Sequence, residues 1–226
     1  MILIIGASGN LGQHILHEYS SEDVILTYGR SQAPSSERII HFQGDLMDLD
    51  SFRKTLDKIF SLYSIDRIIY NSAFTEHSNN LSGLSALAVQ KILGVNFLGY
   101  LTLLQKIESI SEKYGQIKLV YISSNSIKTL NASNSVYISS KAAAEILSLS
   151  TTKNLAEKLI INIIRPGLMN SEMTSDRFDS VVDDVISKTP IKKLVSSDQV
   201  AKAIFQILEN DLLVGQIITV DGGRTI

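Results

Sequence analysis

The sequence contains no cysteine, which rules out a disulfide framework, a thiolate nucleophile and a zinc–thiolate site. It also has no surplus of one charge. Lys and Arg number 21 against 23 Asp and Glu, for a formal net charge of −2 and a pI of about 6.1. Such a balance supplies no basic field for nucleic acid or for an acidic lipid surface. The opening Met1-Ile2-Leu3-Ile4-Ile5-Gly6 lacks a basic start and is too short an apolar run for a leader peptide. No run approaches membrane-spanning length, and no repeat, linker or low-complexity tract divides the chain. With 44% hydrophobic and 19% charged residues over 226 positions, the expectation is one cytoplasmic α/β domain.

The pattern along the chain alternates. Short apolar runs predict strands over 2–5, 24–27, 38–42, 67–70, 117–122, 159–164 and 216–220. Helical periodicity predicts helices after the first strand, around 52–60, over 84–113 with interruptions at Gly94 and Gly99, and over 137–158, 178–187 and 198–209. Strand and helix in alternation predict a doubly wound sheet of about seven parallel strands with helices on both faces. The polar clusters fall just after strands, where open α/β sheets bind ligands.

The stretch from Val120 to Lys141 carries the chemistry. Val120-Tyr121-Ile122 ends in Ser123-Ser124, and Tyr137 stands four places before Lys141. On a helix, positions i and i+4 share a face, so phenol and ammonium project together. A free phenol titrates near 10, and a neighbouring cation favours its ionised form. Ser124 adds a hydroxyl for a carbonyl or alkoxide oxygen. Such a set exchanges a proton with the oxygen of a carbonyl or alcohol. Taken alone, the spacing also fits a half-buried tyrosine and a solvated lysine on an amphipathic helix.

Gly6-x-x-Gly9-x-x-Gly12 lies between the first strand and first helix, where glycines permit a tight turn and close approach of a pyrophosphate. No acid ends the second strand to bind a ribose 2′-hydroxyl. Gly29 leaves room there, and Arg30 offers a fork for a 2′-phosphate, so NADP(H) is preferred and NAD(H) is possible. Asp45 is a candidate acceptor for the adenine amino group or a plain turn residue, and Asn71 either lines the cofactor or caps a turn. His14 and His17 have no matching ligand, so no metal site is expected.

Taken in order, these blocks resemble the short-chain dehydrogenase/reductase family along the entire chain. The matching blocks are the glycine turn, Gly29-Arg30, Asp45-Leu46, Asn71-Ser72-Ala73, Val95-Asn96, Ile122-Ser123-Ser124, Tyr137-x-x-x-Lys141, Pro166-Gly167 with Ser171, Pro190 to Lys193 and the closing Gly215 to Gly223. The resemblance implies Tyr137 as general acid/base, Ser124 polarising the carbonyl, and Lys141 holding the nicotinamide ribose and lowering the phenol's pKa. It implies that Asn96 kinks its helix and anchors a water leading to Lys141. It further implies a cofactor bound by Gly6, Ser8, Gly9, Asn10, Leu11, Gly12, Gly29, Arg30, Ser31, Asp45, Leu46, Asn71, Ser72, Ala73, Tyr137, Lys141, Pro166, Gly167 and Ser171. A small carbonyl or alcohol substrate and a homodimer or homotetramer follow from the same likeness. Leu98, Leu101, Leu103 and Leu104 are expected in the core or between subunits, and the segments 126–135 and 169–188 beside the substrate.

The departures are Ile5 before the first glycine, the glycine spacing itself, Phe74 in place of a glycine, and Ser171 in place of a threonine. The spacing also occurs in the family's sugar-nucleotide branch, so a nucleotide-sugar epimerase or dehydratase is an alternative, opposed by the chain's length. A non-catalytic NADP(H)-binding sensor is the other alternative, and it would have no need of Tyr137 and Lys141.

Overall fold

Ile2, Leu3, Ile4 and Ile5 are all fully buried. A strand with no polar face has to be covered on both sides, as in a parallel sheet between two helix layers. The computed structural model describes residues 1–21, 24–31, 36–78, 80–130, 132–169 and 178–226, and in it this strand is β1 (Ile2–Ile5) of a seven-stranded sheet. The others are β2 (Ile25–Gly29), β3 (Ile39–Gln43), β4 (Arg67–Tyr70), β5 (Ile117–Ile122), β6 (Leu159–Pro166) and β7 (Ile217–Val220). Their order is β3-β2-β1-β4-β5-β6-β7, with every neighbouring pair parallel. The chain winds outward from β1 to β3 and returns to β4, so the order reverses between β1 and β4. Above their carboxyl ends lies the crevice that this topology creates.

The helices are α1 (Asn10–Glu18), α2 (Leu49–Leu62), α3 (Ala86–Leu93), α4 (Gly99–Ile110), the single turn α5 (Ser126–Thr129), α6 (Ser135–Leu155), α7 (Phe178–Ser187) and α8 (Ser197–Glu209). The two-residue period of the strands sorts them into layers. Leu3 and Ile5 join Phe52 and Leu56 of α2, Leu103 and Ile107 of α4 and Ala144 of α6. Ile2 and Ile4 join Ile15 of α1 and Val200 and Ile204 of α8. The doubly wound parallel sheet with helices on both faces is therefore as the sequence predicts.

One element differs from expectation. Gly94 and Gly99 do not interrupt the long helix. A single wider π-turn, Gly94–Leu98, joins α3 to α4 without a break. The glycines serve packing instead. A Cβ on Gly99 would stand 2.9 Å from the Tyr70 hydroxyl, and one on Gly94 would stand 2.5 Å from Met47 Sδ. The joined helix Ala86–Ile110 is, by length and composition, long and apolar enough to cross a membrane, which corrects the expectation that no run approaches that length. Its Tyr100, Leu103, Leu104 and Ile107 are buried beneath the sheet, the place of a core helix. Leu103 and Leu104 are thus core residues, whereas Leu98 is 41% exposed.

Candidate active site

The crevice is a cleft of about 720 Å³, within the range of small-molecule sites. Its nucleotide end is built by the turn between β1 and α1. Gly6 has φ of +89°, and a Cβ there would meet Ser72 N at 2.7 Å. Only glycine allows both the left-handed backbone and that approach of the β1 and β4 loops. Gly12 does not line the cleft but packs the helix, since a Cβ would come 2.5 Å from the Ala7 carbonyl oxygen. Gly9 immediately precedes α1 and faces open space, so the helix's first amides and positive dipole end are accessible to an anion.

Ser8, Asn10, Leu11, Gly29, Arg30 and Ser31 line the same end. Asn10 Oδ1 accepts from the Ser197 hydroxyl, tying α1 to α8. Arg30 is exposed and ion-pairs with no described residue, which leaves its fork available. Asp45 lines the cleft with Leu46, but its Oδ1 accepts from Met47 N at 2.9 Å, so one oxygen is committed to a turn. Asn71 lines the cleft beside the glycine turn. Nδ2 donates to the Gly6 carbonyl at 2.7 Å and braces the glycine turn from β4. Ser72, Ala73, Pro166 and Gly167 complete the predicted lining, and Ser171 lies outside the described residues, as do 170–177 of the bordering segment 169–188. These features fit a dinucleotide: an open glycine above a helix N-terminus and, among the described residues, an Arg30 guanidinium with no ion-pair partner one strand away and a buried Ser123 Oγ without a partner on the cleft wall.

At the other end Ser124 follows β5, and Tyr137 and Lys141 lie one turn apart on α6, all three on the cleft wall. The Ser124 hydroxyl accepts from Ser126 N at 3.1 Å. Lys141 is 1% exposed; its Nζ donates to the Ile122 carbonyl at 2.7 Å and stands 4.7 Å from the Tyr121 ring centroid and 5.9 Å from that of Tyr137. Burial pushes the Tyr137 phenol up to about 12, the Ser124 hydroxyl opposing it, and pushes Lys141 down to about 7, with Glu145 opposing. The expected lowering of the phenol by Lys141 is therefore not present in this cleft. The reason is desolvation, which disfavours the charged form of each partner.

Asn96 sits inside the π-turn, fully buried. Its side chain accepts from Phe74 N at 2.8 Å and donates to the Phe74 carbonyl at 2.9 Å and to Ser140 Oγ at 3.0 Å. Its immediate work is to pin the loop after β4 to α6. A widened turn at such a position is a frequent companion of functional sites.

Three features escaped the reading of the sequence. The Phe74 ring carries Lys91 Nζ 4.3 Å from its centroid, and both line the cleft. The Tyr121 hydroxyl donates to the Asn96 carbonyl at 3.2 Å beneath Lys141. Glu145, 3% exposed, pairs with Arg165 of β6. Only the last left a signal: Glu145 is four residues after Lys141 and so shares its helix face.

Comparison with known proteins agrees with this geometry. A family model described as enoyl-(acyl carrier protein) reductase matches residues 12–225. The 3-oxoacyl-(acyl-carrier-protein) reductase FabG of Buchnera aphidicola subsp. Baizongia pistaciae is 24% identical over 98% of this chain and 95% of its own. Among solved structures, ElxO with NADP bound superposes with a TM-score of 0.87 at 21% identity, covering 99% of this chain and 97% of that one. A short-chain dehydrogenase from Leptospira borgpetersenii with bound NAD+ gives 0.89 at 20% identity, covering 100% and 92%. A match of that extent, over a sheet of this order, places the chain in the short-chain dehydrogenase/reductase family of oxidoreductases.

Proposed function

We propose that the chain interconverts a carbonyl and an alcohol on a small substrate, with NADP(H) as redox partner and Tyr137 as general acid/base. The observation that carries this reading is the meeting of Ser124, Tyr137 and Lys141 on the wall of the cleft that begins at the glycine turn, with Lys141 one helical turn beyond Tyr137. The nicotinamide supplies the hydride when bound. In the reductive direction Ser124 donates a hydrogen bond to the substrate oxygen, and Tyr137 passes it the proton. The Lys141 ammonium stabilises the phenolate left behind, and Lys141 would also hold the ribose hydroxyls of a bound cofactor. Arg30 and the absence of an acid at the end of β2 favour the 2′-phosphate. The named activity of the Buchnera relative makes a 3-oxoacyl thioester a first member of the substrate panel. Exposed Leu93, Leu98 and Ile146 on neighbouring helices support a homodimer or homotetramer, which light scattering would measure.

The test is NADPH oxidation across a panel of carbonyl compounds. Tyr137→Phe should abolish turnover, by about 10²-fold or more for loss of a general acid, while NADPH binding persists. Turnover surviving that change would remove the proposal. Arg30→Ala should reduce the preference for NADPH over NADH; an unchanged ratio would argue against Arg30 as the reader of the 2′-phosphate.

A further inference from the structure

Behind the site lies a buried ion pair that the proposed chemistry does not use. Glu145 is 3% exposed on α6, four residues past Lys141 and eight past Tyr137, so all three share one helix face. Arg165, near the end of β6, holds it with both arms. Nε donates to Oε1 at 2.7 Å, and Nη2 donates to Oε2. A fork of this kind fixes the carboxylate's orientation.

Around Lys141 the remaining groups supply no opposite charge. On its own helix stands the neutral Tyr137. From β5 come the Tyr121 ring and the Ile122 carbonyl. From the π-turn comes the Asn96 amide, already engaged with Phe74 and Ser140. Tyr70 and Tyr100, stacked about Tyr121, are fully buried and remain neutral because burial raises both phenols. Among the described residues Glu145 is the one carboxylate acting on Lys141.

We infer that Glu145, clamped by Arg165, is a positioning residue that keeps Lys141 an ammonium at the cleft. The inference rests on the reading of Lys141 as part of the proton-transfer site. A purely structural ion pair would serve β6–α6 packing and leave the lysine's protonation alone. The sign is fixed: removing a nearby negative charge disfavours the ammonium, so Lys141 loses its proton at lower pH.

The test is competitive acetylation of Lys141, followed by mass spectrometry across pH, since only the free amine reacts. It requires no turnover. In Glu145→Gln, which removes the carboxylate and leaves the Arg165 cation, the midpoint should fall by about one pH unit or more. Glu145→Gln/Arg165→Met, which removes both charges, should fall by less, and Arg165→Lys, which retains the carboxylate and a cation beside it, should keep the midpoint near that of the unaltered protein. An unchanged midpoint in folded Glu145→Gln overturns the inference, and so does an equal fall in Arg165→Lys. Where turnover is measured, the alkaline limb of the pH profile should move down by the same amount in Glu145→Gln. Loss of activity in Tyr137→Phe speaks to the function alone, and the acetylation midpoint to Glu145 alone.

Discussion

At Tyr137 and Lys141, burial opposes both charged forms, and the cost is visible as a pH dependence of stability. The ordinary lysine titrates near 10.5, and Lys141 is pushed down to about 7. Between those values the unfolded chain binds a proton that the folded one has released, so stability rises with pH across that window. Tyr137 works in the opposite sense but only between about 10 and 12, where the unfolded phenol ionises first. From pH 7 to 9 the lysine therefore acts alone of the two. Urea unfolding should show a gain of about 2 kcal/mol over that interval, and Lys141→Met should lose the gain. An equal slope in the variant would place the lysine in solvent.

Phe74 poses the other question at this scale. Its ring fills the place of a glycine and carries the Lys91 ammonium. Phe74→Ala should cost about 1–2 kcal/mol in urea unfolding, less than a fully buried phenylalanine because the ring is only partly covered. The same change should widen the cleft, so turnover of bulkier carbonyls should rise relative to small ones. Tyr137, Lys141 and Ser124 were legible because each depends on local spacing: a helical i, i+4 pair and a strand end. Phe74 over Lys91 was not, since it joins a loop to a helix seventeen residues away.

Among the elements, the π-turn decides where the site's supports come from. Widening a helix frees carbonyls from their usual donors, and a buried free carbonyl is costly. Here two strand tyrosines supply the donors. Tyr70 OH donates to the Val95 carbonyl at 2.8 Å, and Tyr121 OH donates to the Asn96 carbonyl at 3.2 Å. Tyr70→Phe and Tyr121→Phe should each lower stability by about 1–2 kcal/mol. The double variant should depart from additivity, because both bonds hold one turn. Tyr121→Phe keeps the ring under Lys141, so a fall in turnover there reports on Asn96 and not on the lysine's cation–π contact. Additive, turnover-neutral substitutions would show the turn to be self-supporting. The strands and most helices followed from hydrophobic period alone. The turn did not, because Gly94 and Gly99 read locally as helix breakers, while their reason is tertiary: the approach of Met47 and of Tyr70.

Across the whole molecule, the carboxyl ends of the last three strands are tied together above the sheet, and the tie reaches Ser124. Asn125 N donates to the Pro166 carbonyl at 3.0 Å, and Gly167 N donates to the Val220 carbonyl at 2.9 Å, linking the ends of β5, β6 and β7 in sequence. Asp221, 6% exposed just past β7, closes the set. It accepts from Asn125 Nδ2 at 3.3 Å, from Gly223 N at 3.0 Å and from the Thr225 hydroxyl at 2.7 Å. Asn125 directly follows Ser124, so the chain's last residues help place a hydroxyl nearly a hundred residues earlier. Sequence order alone cannot reveal this, because it depends on β7 lying two strands from β5. Asp221→Ala leaves three donors without their acceptor and should cost about 2–3 kcal/mol. Turnover should fall beyond what the lost stability accounts for, since the Ser124 loop is released. Thr225→Val removes one donor without orphaning the carboxylate's other partners, and its effect should be smaller on both measures. If Asp221→Ala is destabilised yet turns over normally below its melting range, the tie serves the fold alone and the serine is held by its own loop.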